Sequence, residues 1–169
     1  MTDPLLITSR DRLLESVRGL SETQWHFTPA PDRWSIAGVV EHVALIEGLI
    51  HGIVGRLDAA PDASPGRNDA EIDEFIRTEV PKREAKLEAP PMVRPTGTVA
   101  PEDSLRRFVE ARARTIELFD SAPHLRGRVL PHPAFGPWDG HQWLLAAGSH
   151  SARHTAQVLE IKADGSFPK

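Results

Sequence analysis

The chain of 169 residues contains no cysteine. Disulfides, thiolate metal ligands and a nucleophilic cysteine are thereby excluded, so any metal must be held by nitrogen and oxygen donors, and thiol chemistry would need an external thiol. A basic block is missing too. Twenty Lys+Arg are scattered among 24 Asp+Glu for a formal charge of −4, so the phosphate-neutralising surface that nucleic-acid binding requires is not visible, and DNA and RNA are discounted as partners. No stretch approaches the roughly 18 apolar residues of a membrane span. The short run Leu5-Leu6-Ile7 is broken by Thr8, Ser9 and Arg10, too early for a secretory signal core. A cytoplasmic location without a membrane partner is expected. Alternating apolar and polar runs are also lacking, so little reads as strand.

What is present is ordinary for a globular chain: 40% hydrophobic and 26% charged residues. A chain of this length reads as one domain over 1–169 and buries roughly 68–70% of the surface its unfolded form exposes. Apolar residues recur at three and four, which predicts an all-α fold with four main helices. The first runs from Pro4 to about Leu20, with Leu6, Leu13, Leu14 and Val17 as its apolar side. The second follows the N-cap Ser35 and reaches about Leu57; its wide stripe, from Ile36 through Val43 and Ile50 to Leu57, predicts a mostly buried helix. The third is expected from Pro101 to Ser121, with Glu102 and Asp103 at its positive end, Pro123 just past its stop, and Leu105, Phe108, Val109, Ile116 and Phe119 facing the core. The fourth begins at Asp139, with Gln142 in the capping-box position, and ends at Lys162 or Ala163. Between the second and third helices, 59–100 is less regular: a short helix fits 69–78, after which Pro81, Pro90, Pro91 and Pro95 intervene. Such a connection is either a functional cover or a passive crossover.

The feature that points to chemistry is the pair His150 and His154. Side chains four apart on a helix lie about 40° apart on one face, close enough for two imidazoles to reach one cation. The pair shares its stripe with Trp143, Ala147, Val158 and Ile161, so it points inward. There it is either hydrogen-bonded into the core or coordinated, because unpaired buried polar groups are costly. His42, beside Val39 and Ile46 on the second helix, is the candidate third ligand; it precedes His150 by 108 residues, so only tertiary packing can unite them. A zinc-protease pattern would need glutamate directly after the first histidine, where Ser151 stands.

These residues resemble a known family. Trp34-Ser35-Ile36 followed by Glu41-His42, the Gly136-Pro137 pair, the run Trp143-Leu144-Leu145 and the stretch His150-Ser151-Ala152-Arg153-His154-Thr155-Ala156-Gln157 look like the DinB/YfiT-like metal-binding proteins. The resemblance covers nearly the whole chain. It implies an all-α, up-down-down-up four-helix bundle with a long connection between the second and third helices, and a divalent cation, zinc or nickel, held by His42, His150 and His154. It further implies a small-molecule substrate, a homodimer, and thiol-dependent transferase or isomerase chemistry using a low-molecular-weight thiol.

The expected function is therefore a metal-dependent small-thiol S-transferase or hydrolase, in which the cation activates a water or a thiol. The alternative is a non-catalytic binding or dimerisation module with a polar histidine cluster in its core. Glu47 and Glu41 either assist as carboxylates or are solvated charges, and Gln157 either orients a ligand or is a surface residue. Trp25, Trp34, Trp138 and Trp143 either line a pocket or belong to the core. His26, His51, His124, His132 and His141 read as loop or surface residues.

Overall fold

A computed structural model describes residues 2–84, 88–121 and 125–169. Helix α1 (Pro4–Ser16) opens behind Asp3, whose carboxylate accepts the Leu5 amide. It stops at Ser16 rather than near Leu20, since Gly19 turns the chain at φ 70°. A short α2 (Glu22–His26) follows, closed by a capping box between Ser21 and Gln24. Helix α3 (Ile36–Val54) starts behind Ser35, which accepts the Gly38 amide, and ends three residues before Leu57. The short α4 (Asp69–Thr78) and the long α5 (Pro101–Ser121) occupy the expected residues. Pro123 and His124 lie outside the described residues.

Helix α6 (Gly140–Lys162) carries the reciprocal box expected of it: Asp139 accepts the Gln142 amide at 2.8 Å and Gln142 accepts the Asp139 amide at 3.1 Å. Before it comes an element the sequence pattern did not predict, an antiparallel hairpin of β1 (Val129–His132) and β2 (Gly136–Asp139). Its strands are four residues long and pair Pro131 with Pro137, so neither alternation nor amide donors advertise them.

Contacts along the helices fix their directions. Gly148 lies against Leu5 and Leu6 while Lys162 donates to the Ser16 carbonyl at 2.8 Å, so α1 and α6 run the same way. His42 meets His150 whereas Leu57 meets Gly140, so α3 runs against α6. Glu47 meets Arg112 and His51 meets Thr115, so α3 and α5 are parallel. The order is up, down, down, up, a four-helix bundle with α4 packed on α6. Because α3 and α5 are successive members of the four-helix bundle yet parallel, the chain must return the length of the bundle between them, which is why the connection that carries α4 is long.

By length and composition the segment Ile36–Ala59 could cross a membrane, which corrects the expectation that no stretch comes near one. In the bundle its helical part, α3, packs against α5 and α6. The core face of α5 is also rotated from the expected one. Phe108, Arg112 and Thr115 are buried, whereas Val109 is 40% exposed.

Candidate metal centre

Helices α3 and α6 cross where His42, His150 and His154 stand. The three imidazoles offer one nitrogen each, all within 4.8 Å of one another. His42 Nε2 is 3.2 Å from His150 Nε2, and His154 Nε2 is 3.1 Å from the same atom. In a tetrahedral site with metal–nitrogen bonds of about 2.0–2.1 Å, ligand atoms stand about 3.3 Å apart, so these spacings suit a cation.

The other ring nitrogens decide the tautomers. His42 Nδ1–H donates to the Val93 carbonyl at 2.6 Å, and His154 Nδ1–H donates to Gln157 Oε1 at 2.8 Å. Both Nε2 atoms therefore carry lone pairs aimed at His150. A proton on His150 Nε2 could satisfy one of them and not both, whereas a cation satisfies all three. His150 Nδ1 is buried and meets no hydrogen-bond partner among the described residues.

Burial holds the imidazoles neutral, the state in which they coordinate. It pushes His42 down from the ordinary histidine value against the opposing Val93 hydrogen bond. It lowers His154 to about 3, with the charge of neighbouring His42 acting in the same direction. His150 is lowered well below the usual range by burial and by the other two histidines. His42 and His154 are buried, while His150 keeps some accessible surface.

The connection between α4 and α5 supplies the outer contacts. Besides Val93, it provides Arg83, whose Nη1 donates to Gln157 Oε1 at 3.2 Å and whose Nε and Nη2 donate to Glu160 at 2.8 and 2.9 Å. Glu41 accepts the Thr96 amide and hydroxyl and the Gly97 amide, tying the connection to α3 beside His42. Glu41 is thus an anchor, and Gln157 contacts a proposed ligand. Trp34 lies 4.8 Å from the His42 ring and 6.4 Å from that of His154, centroid to centroid. With Gln157, Arg33, Glu160, Ile161 and Asp164 it borders a cavity of about 170 Å³.

Glu47 is neither a solvated charge nor beside the imidazoles. Its side chain, 1% exposed, pairs with the fully buried guanidinium of Arg112 and accepts the Thr115 hydroxyl. Arg112 also donates to Leu6 O, Ser9 Oγ, Ala147 O and Ser151 Oγ, joining α1, α3 and α6. Ser151, at the zinc-protease glutamate position, is thereby committed to structure.

Of the remaining tryptophans, Trp25, Trp138 and Trp143 are core residues. Three histidines expected at the surface are half-buried instead. His51 bonds Thr115 at 2.9 Å. His132 stacks on Phe135 and lies tilted against Trp138, where burial lowers it to about 4. His141 lies against Phe119, lowered by burial and by the Arg126 charge. His26 ends α2 in an exposed position.

Comparisons with known proteins agree with this architecture. A family model described as the DinB superfamily matches residues 5–158. The uncharacterized protein YuaE of Bacillus subtilis (strain 168) is 27% identical over 149 residues, covering 86% of this chain and 88% of its own. Among solved structures, the four-helix bundle protein TT2238 has a TM-score of 0.58 at 22% identity, over 92% of this chain and 94% of its own. YfiT from Bacillus subtilis has a TM-score of 0.59 at 17% identity, over 97% of this chain and 85% of its own. YfiT is described as a probable metal-dependent hydrolase with an unusual four-helix bundle topology.

Proposed function

The chain belongs to the DinB superfamily, and from that premise we propose that it is a metal-dependent enzyme, a small-thiol S-transferase or hydrolase, with His42, His150 and His154 as the ligands of one divalent cation. The observation that carries this reading is that the Nε2 atoms of His42 and His154, each with its proton fixed on Nδ1, stand 3.2 and 3.1 Å from His150 Nε2, all three within 4.8 Å of one another. Nitrogen donors of this kind accept zinc or nickel. When bound, the cation would act as a Lewis acid, lowering the pKa of a water or small thiol so that it attacks near neutral pH.

The protein's own part is to bind, orient and exclude water. Val93 and Gln157 hold two imidazoles with their lone pairs inward. Trp34 packs beside the rings of His42 and His154, and His150 is the least buried residue of the three. Among the described residues no carboxylate joins the histidine cluster. Three protein ligands suit a catalytic site, which keeps a position for substrate, better than a closed structural one. The cavity of about 170 Å³ on the far side of Trp34 and Gln157, lined by none of the three histidines, has room for part of a small molecule. Among the described residues, the large apolar side chains that remain exposed, Ile7, Phe75, Met92, Val109 and Leu159, lie on five different stretches of the chain, which gives little support to a docking module.

The test is metal analysis and zinc or nickel titration of untagged protein alongside His150→Ala, with thermal melting in the presence and absence of a chelator. One equivalent of cation is expected in the parent and little in the variant. Because a cation bound to the folded state alone stabilises it by about 2.7 kcal/mol at a hundredfold excess over Kd, the melting temperature should fall on chelation. Equal, negligible metal in both proteins, with melting indifferent to chelator, would favour the core-cluster alternative.

A further inference from the structure

The described residues of the connection 79–100 act on the histidines at two places that differ in kind, directly at His42 and through Gln157 of α6 at His154. At His42 the acceptor is the Val93 carbonyl, a backbone oxygen with no donor alongside to exchange for it. At His154 it is the side-chain amide of Gln157, whose oxygen and nitrogen swap places by a half-turn. The end that faces His154 decides where the neutral ring keeps its proton. If the oxygen faces it, the proton sits on Nδ1 and Nε2 offers a lone pair; if the NH2 group does, Nδ1 becomes the acceptor and the proton moves to Nε2.

Arg83 removes that choice. A guanidinium only donates, so the group it meets at 3.2 Å on Gln157 must be the oxygen. Its own plane is fixed by the two-pronged pairing with both oxygens of Glu160. Glu160 is about half exposed, so the pair adds little to stability; what it supplies is direction. Glu160 orients Arg83, Arg83 orients Gln157, and Gln157 orients His154.

We propose that Arg83 is a positioning residue of the metal centre, one that keeps the Gln157 oxygen toward His154 and thereby the His154 Nε2 lone pair toward the other two histidines. This rests on reading the histidines as ligands, yet the tautomer it concerns exists before any cation arrives. Losing a partner that orients a metal-binding histidine lowers metal affinity about 10- to 100-fold. Arg83→Met should show such a loss. Arg83→Lys, still a pure donor, should retain most of the affinity. Gln157→Glu presents an oxygen whichever way it turns, so it should rescue Arg83→Met, which a merely structural role for Arg83 would not allow.

The experiment measures the ring-nitrogen shifts of His154 by long-range 15N–1H NMR in metal-free protein, together with zinc affinity by competition against a chromophoric chelator. The proteins compared are wild type, R83K, R83M and R83M/Q157E. The Nδ1–H form is expected in all but R83M, which should gain the Nε2–H form and bind zinc at least about 10-fold more weakly. Should R83M fail to fold, E160Q, which loosens Arg83 without removing it, provides the same comparison. An unchanged tautomer in R83M, or a changed one that Q157E does not restore, overturns the proposal. A wild type with His154 protonated on Nδ1 that binds no zinc would sink the metal reading and leave the role of Arg83 in setting the tautomer intact.

Discussion

Replacing Arg112 by methionine should be among the most damaging single changes in this protein. The guanidinium is 0% exposed and its partner Glu47 is 1% exposed. Removing the cation strands a carboxylate in the bundle interior with the Thr115 hydroxyl as its remaining donor. It also deprives Leu6 O, Ser9 Oγ, Ala147 O and Ser151 Oγ of the guanidinium. Breaking a buried pair by removing one partner costs about 3–5 kcal/mol, a large part of the roughly 5–15 kcal/mol that holds a domain folded. At about 2–4 °C per kcal/mol for a chain of this size, melting should fall by roughly 6–20 °C. Glu47→Leu alone should cost a similar amount, since it leaves Arg112 unpaired. The double variant R112M/E47L buries no unpaired charge and should cost about as much as either single change rather than their sum, because the two carbonyls and two hydroxyls still go short of a donor at about 1 kcal/mol each. Urea denaturation of the four proteins gives the coupling energy directly. If R112M cost less than about 1 kcal/mol, or the two single losses simply added, the pair would not be the buried anchor described above. Because none of the three metal-candidate histidines bonds to Glu47 or Arg112, the folded double variant should still bind zinc.

Two further outcomes follow from local packing and charge. A methyl group on Gly140 would lie 2.3 Å from Leu57 Cδ1 and 3.0 Å from Leu125 Cβ, whereas one on Gly48, inside α3, would meet nothing within 4 Å. Gly140→Ala should therefore destabilise by about 1–3 kcal/mol and Gly48→Ala should stabilise by about 0.5–1 kcal/mol; denaturation that ranked them the other way would contradict the packing. His132 is lowered to about 4 in the folded protein by burial. The unfolded chain thus binds a proton there between about pH 6.5 and about 4 that the folded one does not, so stability is lost as pH falls through that window. His132→Phe, which keeps an aromatic ring against Trp138 and Phe135, should flatten the acid limb of the stability profile relative to the parent, and an unaltered slope would show that this ring does not matter to it.

The sequence was most legible where one residue type at one position has a single job. Ser35, Asp139 and Gln142 announced helix starts, the limits of α5 followed from charge and proline placement, and α4 followed from Ile72, Phe75 and Ile76. The spacing of His150 and His154, with His42 on another buried stripe, brought out all three members of the cluster. The Glu47–Arg112 pair left a signal that passed unread: Glu47 stands on the same face as Val43, Ile50 and Val54, and Arg112 on that of Phe108, Thr115 and Phe119. Opposite charges on two buried stripes need each other. Val93 left none, because what it contributes is a backbone carbonyl placed by tertiary structure. Arg83 and Glu160 are ordinary surface residues until the connection folds against α6.

His42 and His150 stand 108 residues apart and are joined by the docking of α3 against α6. That separation sets an order of events. An unfolded chain offers a cation His150 and His154 at short range, while bringing in His42 means closing a loop of that length, an entropic cost met by the apolar contacts of the bundle. A cation held by the three histidines would then be a late arrival, loaded into a finished fold rather than serving as the template around which the fold assembles. Protein awaiting such a cation would already have the shape of the loaded one.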